Sequence, residues 1–361
     1  MIEPVTAPER PSGFLPLDNL ALENMAQGYP EELQERVVWL GCFLREECRR
    51  SMDALVDRAA KLDISLDKTN WSKILRGRWN RDAEGKTLDT PIVNLKKLCG
   101  WIDTLRADAR IKAQGGKVPF VMTGTAIEIC NYIDALRAPD RVNKWGVIVG
   151  ETGLQKSATF KDYTIRNNHG TVVHLEAPEN GSLKEFIGHL AFRYGRTLNY
   201  SYEAKRNHIF DTVNERKCII VDNAQDLYKA KFLDKQPALG FLRRLQDERG
   251  CTIVLSVTQE GEKLFFKSGS KDYLEQFEGR AGGRRNFLRL SPQVPEDDIL
   301  QIAEAFKLRD AERHIKYLVN IAREPGRIRR LFEDLQKAKI RAEDRKETFT
   351  LSHIKWARDE D

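Results

Sequence analysis

No apolar run in this sequence approaches the ~18 residues that a membrane-spanning helix needs. The first thirty residues also lack the basic start and apolar stretch of a secretion signal. These absences predict a cytoplasmic protein with no membrane partner. Cysteines are few, six in 361 residues: Cys42, Cys48, Cys99, Cys130, Cys218 and Cys251. None forms a C-x-x-C pair and no histidine stands near one at ligand spacing, which excludes a zinc or redox motif and predicts reduced, mostly buried thiols. His169, His174, His189, His208, His314 and His353 form no nucleophile or metal pattern, so nothing indicates a deaminase, nuclease or protease. A strong charge imbalance is missing too. Sixty Lys+Arg against 54 Asp+Glu leave a net charge of +6, which bears on a partner only where it is concentrated. With 41% hydrophobic and 32% charged residues, the chain is neither collagen-like, of low complexity, nor wholly disordered.

At roughly 150 residues per domain, the length predicts two or three folding units. Residues 1–30 carry Pro4, Pro8, Pro11, Pro16 and Pro30 and few periodic apolar positions, which suits an extended or disordered arm. Over 31–112 the spacing turns helical: Leu33, Val37, Leu40 and Leu44, then Leu55, Ala59 and Leu62, then Trp71, Ile74 and Leu75, then Ile92, Leu95, Leu98 and Ile102. No strand alternation interrupts it, so an all-helical domain is expected. Residues 113–119, with Gln114-Gly115-Gly116-Lys117, read as a linker. After Pro119 a helix over 126–136 precedes the apolar run Trp145 to Val149, and further β-rich runs occur at 171–175, 217–221 and 252–257. Buried strands alternating with helices predict an α/β core over 120–292, a parallel sheet covered on both faces. A second helical unit is expected at 293–340 and a charged tail at 341–361.

Directly after Val149 comes Gly150-Glu151-Thr152-Gly153-Leu154-Gln155-Lys156-Ser157, with Ala158 continuing into a helix. A strand, a glycine-containing loop and Lys-Ser at a helix start let backbone amides cradle phosphates. Lys156 would reach the β- and γ-phosphates of ATP and Ser157 would hold Mg²⁺. The P-loop spacing is kept except that Gln155 stands where a glycine is usual, at a cost of order 1–3 kcal/mol if its backbone is strained. A second requirement, an acidic residue ending a neighbouring buried strand, is met by Asp222 after Cys218 to Val221. The next residue, where hydrolytic sites of this kind carry a water-activating glutamate, is Asn223. A neutral amide cannot accept the proton, so slow or absent hydrolysis is expected; Asp226 is a poorly placed substitute. Each piece also has a bland reading, a strand-to-helix turn and an Asx turn.

Taken in order, these pieces resemble the AAA+ ATPases that select target DNA in transposition, of the phage Mu activator B and TniB/TnsC type. The resemblance runs from about Phe120 to Lys339 and takes in the phosphate loop, Asp222-Asn223-Ala224-Gln225, Phe241 to Asp247, and Glu324 to Leu331. It implies a P-loop NTPase core with a helical lid and an N-terminal helix-turn-helix domain. It also implies roles for three residues: Thr258 as the polar sensor, with Gln259 as rival; Arg280, in Gln276-Phe277-Glu278-Gly279-Arg280, as an arginine finger reaching a neighbour's γ-phosphate, with Arg284 and Arg285 as competitors; and Arg327, after Pro325-Gly326, as the lid residue folding back on the nucleotide. If a neighbour's arginine completes the site, ATP promotes self-assembly by linkage, and head-to-tail contacts close into rings or wind into a helical filament. The resemblance implies a filament on double-stranded DNA that recruits a transposase, with Lys337 to Asp361 as the candidate transposase contact.

In the helical domain, residues 55–62, 63–66 and 67–75 read as helix, turn and recognition helix. Lys68, Asn70, Lys73, Arg76 and Arg78 are the candidate DNA contacts, with Trp71 and Trp79 as core. Lys184, Lys205 and Arg206, with Arg193 and Arg196, form a second basic group. Such contacts would be largely independent of sequence and steeply salt-dependent. Two other readings remain open: a degenerate ATPase-like regulator that uses the helix-turn-helix on one operator without cycling nucleotide, which Gln155 and Asn223 favour, and a remodelling ATPase whose water is activated elsewhere.

Overall fold

Four mainly apolar stretches and one short segment become strands: β1 (Trp145–Val149), β2 (Val172–Glu176), β3 (Cys218–Asp222), β4 (Thr252–Val257) and the short β5 (Leu288–Arg289). This computed structural model describes residues 17–81, 86–88, 90–113, 120–167, 170–196, 199–228, 237–267 and 278–359. The first sixteen residues, the body of the expected linker, His169 and Gln276-Phe277 lie outside them. The strands pair in the order β2-β3-β4-β1-β5, every ladder parallel. The three inner strands are buried along their whole length, as β-branched runs inside a helix-covered parallel sheet must be. Alternate residues face opposite sides. Ile148, Val172, Cys218, Ile220 and Val254 meet Ile129, Ile133, Phe160 and Tyr163 in one core, from the helices α6 (Gly124–Arg137) and α7 (Lys156–Arg166).

The chain folds as two compact units: Met1–Arg106 with Tyr194–Arg196, and Ala107–Arg193 with Thr197–Asp361. In the first unit, α1 (Asn19–Ala26), α2 (Glu31–Glu46), α3 (Met52–Ala60), α4 (Lys68–Ile74) and the start of α5 (Leu95–Ala113) pack together. The centre is α2, which is apolar around most of its circumference from Val37 to Leu44 and correspondingly buried. Of the arm expected over 1–30, the described residues 17–30 include a packed helix. Asp18 caps α1 by accepting from the Ala21 amide at 3.0 Å, and Leu22 is fully buried against α2, where a Cβ on Gly41 would lie 2.5 Å from the Leu22 methyls. The flanking prolines masked an apolar face only two turns long. Trp71 and Trp79 are both buried, as core residues.

The second unit holds the sheet. Its remaining helices are α8 (Leu183–Arg193), α9 (Tyr202–Thr212), α10 (Pro237–Arg249), α11 (Gln259–Lys267), α12 (Glu296–Ala305), α13 (Ile315–Arg323), α14 (Arg327–Asp344) and α15 (Leu351–Asp359). The last four form a separate core around Ile302, Phe306, Leu318, Leu331, Leu335 and Ile354. Within the segment expected as a charged tail, 341–361, α15 buries Ile354 and Ala357, and its Arg358 donates to the fully buried Asp334 of α14 at 2.8 Å. The charges there are one face of a packed helix and, for Arg358, a buried pair. Among the described residues no helix is long and apolar enough to cross a membrane.

Leu22→Ala should lower the stability of the first unit by about 2–5 kcal/mol, the usual penalty for a truncated core leucine, measured by urea denaturation. A change within about 0.5 kcal/mol, as expected of an exposed position, would return residues 17–30 to the status of an arm.

Candidate functional site

The loop between β1 and α7 sits at the carboxyl edge of the sheet, where parallel strands leave a crevice for ligands. Its conformation depends on two left-handed residues. Gly153 has φ +85°, and a Cβ there would stand 2.0 Å from the Gly326 carbonyl oxygen. Only glycine lets the loop pass this close to the start of α14, whose Arg329 amide donates to the Gly153 carbonyl at 3.4 Å. Gln155 is the second, at φ 62° and ψ 9°. Its side chain is held by residues at and before the start of α6. Thr123 Oγ1 donates to Gln155 Oε1 at 2.9 Å, and Gln155 Nε2 donates to the Val121 carbonyl at 3.0 Å. Thr123 also caps α6, accepting from the Ala126 amide. The amide that replaces the usual glycine thus offsets its backbone strain by tying the loop to the helix before β1.

Lys156 opens α7 and is only 8% exposed. Its ammonium donates to the carbonyls of Gly150 at 2.7 Å and Glu151 at 2.8 Å. Burial pushes its pKa below the ordinary lysine value, against the attraction of Asp222 and Glu151. These partners are neutral carbonyls, so the charge favours an anion beside the loop. The start of α7 carries no side-chain cap, which leaves its first-turn amides for the same purpose. Ser157 Oγ donates to Asp222 Oδ2, and Asp222 Oδ1 accepts the Asn223 amide at 3.0 Å. Asp222 is 3% exposed. A serine hydroxyl and one carboxylate are a hard-oxygen pair that suits Mg²⁺ shared with phosphates; among the described residues no cluster of three or more His, Cys, Asp or Glu could hold a metal alone. Behind them His174 Nε2 lies 4.0 Å from Asp222 Oδ2. Burial pushes His174 down to about 4, although the carboxylate pulls it up, so the ring is neutral near pH 7.

These groups line a cavity of about 590 Å³. Its wall includes Thr152 to Ala158, Asp222, Asn223 and Thr258, so most of the residues singled out in the sequence come together. Thr258 also starts α11, its Oγ1 accepting from the Gly261 amide at 3.0 Å. Gly150 and Glu151 are not part of the wall. Glu151 instead accepts from Arg327 Nε at 2.8 Å, while Arg327 Nη1 donates to the Pro292 carbonyl at 2.7 Å. Arg327 therefore faces a neighbouring cavity beside Pro292 and Arg323, and Arg329 takes the place on the main wall. The start of α14 thus presents Arg327 to one cavity and Arg329 to the other, with left-handed backbone at Gly326 and Arg327. Arg280 lies outside the cavity, half-buried and paired with Asp247 of α10 at 2.9 Å. Sequence reasoning missed Phe120, Glu176, Ile328 and Phe332. The three apolar ones had no signal beyond their hydrophobicity, and Glu176 had none at all until β2 and β3 were aligned.

Of the basic candidates, Lys184 and Lys205 share one shallow depression on α8 and α9 with Ser182, Glu185 and His189. Arg206 lies beside them in sequence, its guanidinium 5.4 Å from the Phe210 ring centre. In the first unit Lys73 and Arg78 are exposed and Arg76 is half-buried. Lys68 pairs with Asp53 at 2.9 Å, and Asn70 Nδ2 donates to Asp67 Oδ2 at 2.6 Å.

Gln155→Gly and Gln155→Ala lose the same amide contacts, but only alanine keeps a Cβ in a left-handed backbone. The glycine variant should be the more stable by about 1–2 kcal/mol in thermal denaturation. Equal stabilities would contradict a loop held at this φ.

Two family models match the chain: an AAA domain over residues 141–265 and the Mu B transposition protein C-terminal domain over residues 288–360. No curated protein matches. Among solved structures, the chain is similar to the Orc1 protein of Aeropyrum pernix in complex with DNA, at 15% identity and a TM-score of 0.48, covering 65% of this chain and 64% of that one. It is also similar to Cdc6p of Pyrobaculum aerophilum, at 16% identity and a TM-score of 0.43, covering 62% of each. The chain thus spans under two thirds of the length of either. The chain thus joins an AAA domain, built on a parallel sheet in the order β2-β3-β4-β1-β5 with a phosphate loop after β1, to a Mu B transposition protein C-terminal domain, an arrangement consistent with the AAA+ transposition target-DNA ATPases of the Mu B type.

Proposed function

We propose that the protein binds ATP with Mg²⁺, assembles on double-stranded DNA with little regard to sequence, and marks that DNA for a transposase. The observation that carries this reading is the buried, carbonyl-held ammonium of Lys156 beside Ser157 and Asp222, in a cavity one wall of which is α14 of the Mu B-type domain. In this reading Lys156 and the first-turn amides of α7 hold the phosphates, and Ser157 with Asp222 holds the cation. Phe120, Ile328 and Phe332 supply apolar surface for the base. Because Gln155 is engaged by Thr123 and Val121, it leaves the phosphate side open.

Since α14 belongs to the C-terminal domain and Arg329 lines the cavity, bound nucleotide stabilises one placement of that domain. Arg280 on a neighbouring copy, exchanging Asp247 for a γ-phosphate, would couple the same binding to assembly. Lys184, Lys205 and Arg206 would then neutralise DNA phosphates, a contact that carries no base information. Lys73 and Arg78 give the first unit a similar opportunity. The transposase partner is supported by the description of the C-terminal family.

The test is to mix the full chain with random-sequence duplex DNA and either no nucleotide, ADP, ATP or a non-hydrolysable analogue, and to image the products. ATP and the analogue should give filaments, Lys156→Ala none, and Arg280→Ala should bind ATP without assembling. Replacing both Lys184 and Lys205 by alanine should weaken binding to all sequences alike and lower the salt slope by about 1–2. Preference for one operator with no nucleotide effect would overturn the reading in favour of a specific regulator.

A further inference from the structure

Asn223 occupies the position where a proton-accepting carboxylate is expected, and an amide cannot take that role. The structure supplies a carboxylate at the same place from another strand. In the ladder between β2 and β3, Glu176 stands opposite Asp222, and the Ala177 amide closes that end of the pair by donating to the Asp222 carbonyl at 2.9 Å. His174 and Glu176 are two residues apart and so share one face of β2; His174 lies behind Asp222, and Glu176 lies at the open edge. There Asn223, turned by its left-handed backbone at φ 51°, donates from Nδ2 to Glu176 Oε1 at 2.8 Å. Both side chains line the cavity that holds Lys156, Ser157 and Asp222. Asp226 does not line it; burial and the charges of Glu176 and Glu179 push its pKa up. Glu333 of α14 does line it, but accepts from Arg329 Nε at 3.0 Å.

We propose that Glu176 is the catalytic base for ATP hydrolysis, with Asn223 as the positioning residue that fixes its carboxylate. This rests on the nucleotide reading of the same cavity. The acid and the amide have exchanged strands, so the site retains one carboxylate and one carboxamide at the sheet edge. The hydrogen bond from Asn223 occupies Oε1 and orients the group, and Oε2 is the oxygen that takes a proton. Water oxygen bonds to the γ-phosphorus, the bond from that phosphorus to the bridging oxygen breaks, and its electron pair stays on the β-phosphate. One water proton passes to Glu176, and the products are ADP and inorganic phosphate. Hydrolysis is then neither lost nor dependent on Asp226. It is a property of the paired β2 and β3 ends.

The experiment uses the full chain with duplex DNA and measures ATP binding, phosphate release and the lifetime of the DNA complex after dilution into nucleotide-free buffer. Glu176→Gln should bind ATP within about 3-fold of the parent, lower phosphate release by ~100-fold or more, and lengthen the lifetime of the DNA complex. The double variant Glu176→Asn with Asn223→Glu restores a carboxylate at the edge and should release phosphate within about 10-fold of the parent, which a purely structural role for Glu176 would not produce. Unchanged phosphate release in Glu176→Gln overturns the proposal, as does a parent chain that binds ATP without hydrolysing it or a double variant as inactive as the single one. A parent that binds no ATP overturns the nucleotide reading itself, an outcome the binding measurement separates from the others.

Discussion

A lysine ammonium held almost out of water with carbonyl oxygens as partners is the constraint on which the rest of the second unit depends. Lys156 cannot be neutralised by a carboxylate at bonding distance without closing the loop to anions, and its carbonyl contacts with Gly150 and Glu151 hold the loop in the shape an anion needs. The sheet contributes by ending β1 and β3 at one edge, which brings Ser157 to Asp222. Desolvation makes every charge in the crevice matter more than it would at the surface.

The loop keeps this shape through contacts with elements distant in sequence. Gly153 lets the start of α14 approach to backbone contact, so the C-terminal domain forms one wall of the cavity. Gln155 replaces the flexibility of a glycine with two side-chain bonds to Val121 and Thr123, and Thr123 caps α6. Asp298 of α12 accepts the Gly124 amide at 2.7 Å, so the same helix start also meets the C-terminal domain. A change in the shape of the loop would therefore act on α6, α12 and α14 together.

Local pattern carried much of the fold. The apolar runs ending at Val149, Val221 and Val257 were legible as buried strands because each is too short and too β-branched to be a helix. The phosphate loop was legible because its chemistry lies within eight consecutive residues. The helices at the two ends of the described chain were hard to read for one reason: α1 and α15 each bury a narrow face, and prolines in one case and charges in the other outweigh Leu22 and Ile354 in the pattern. Arg327 and Arg329 could not be told apart by spacing, since a left-handed turn rotates a helix start relative to the chain before it.

By itself the sequence determined that a strand, a glycine loop and Lys156-Ser157 would meet an acid at the end of a second strand, because each of those motifs is written in neighbouring residues. Tertiary structure alone decided that Glu176 faces Asp222 and receives a hydrogen bond from Asn223, 47 residues away. The register of two parallel strands joined by a long crossover is set by the packing of the helices between them, and no local spacing in the chain records it.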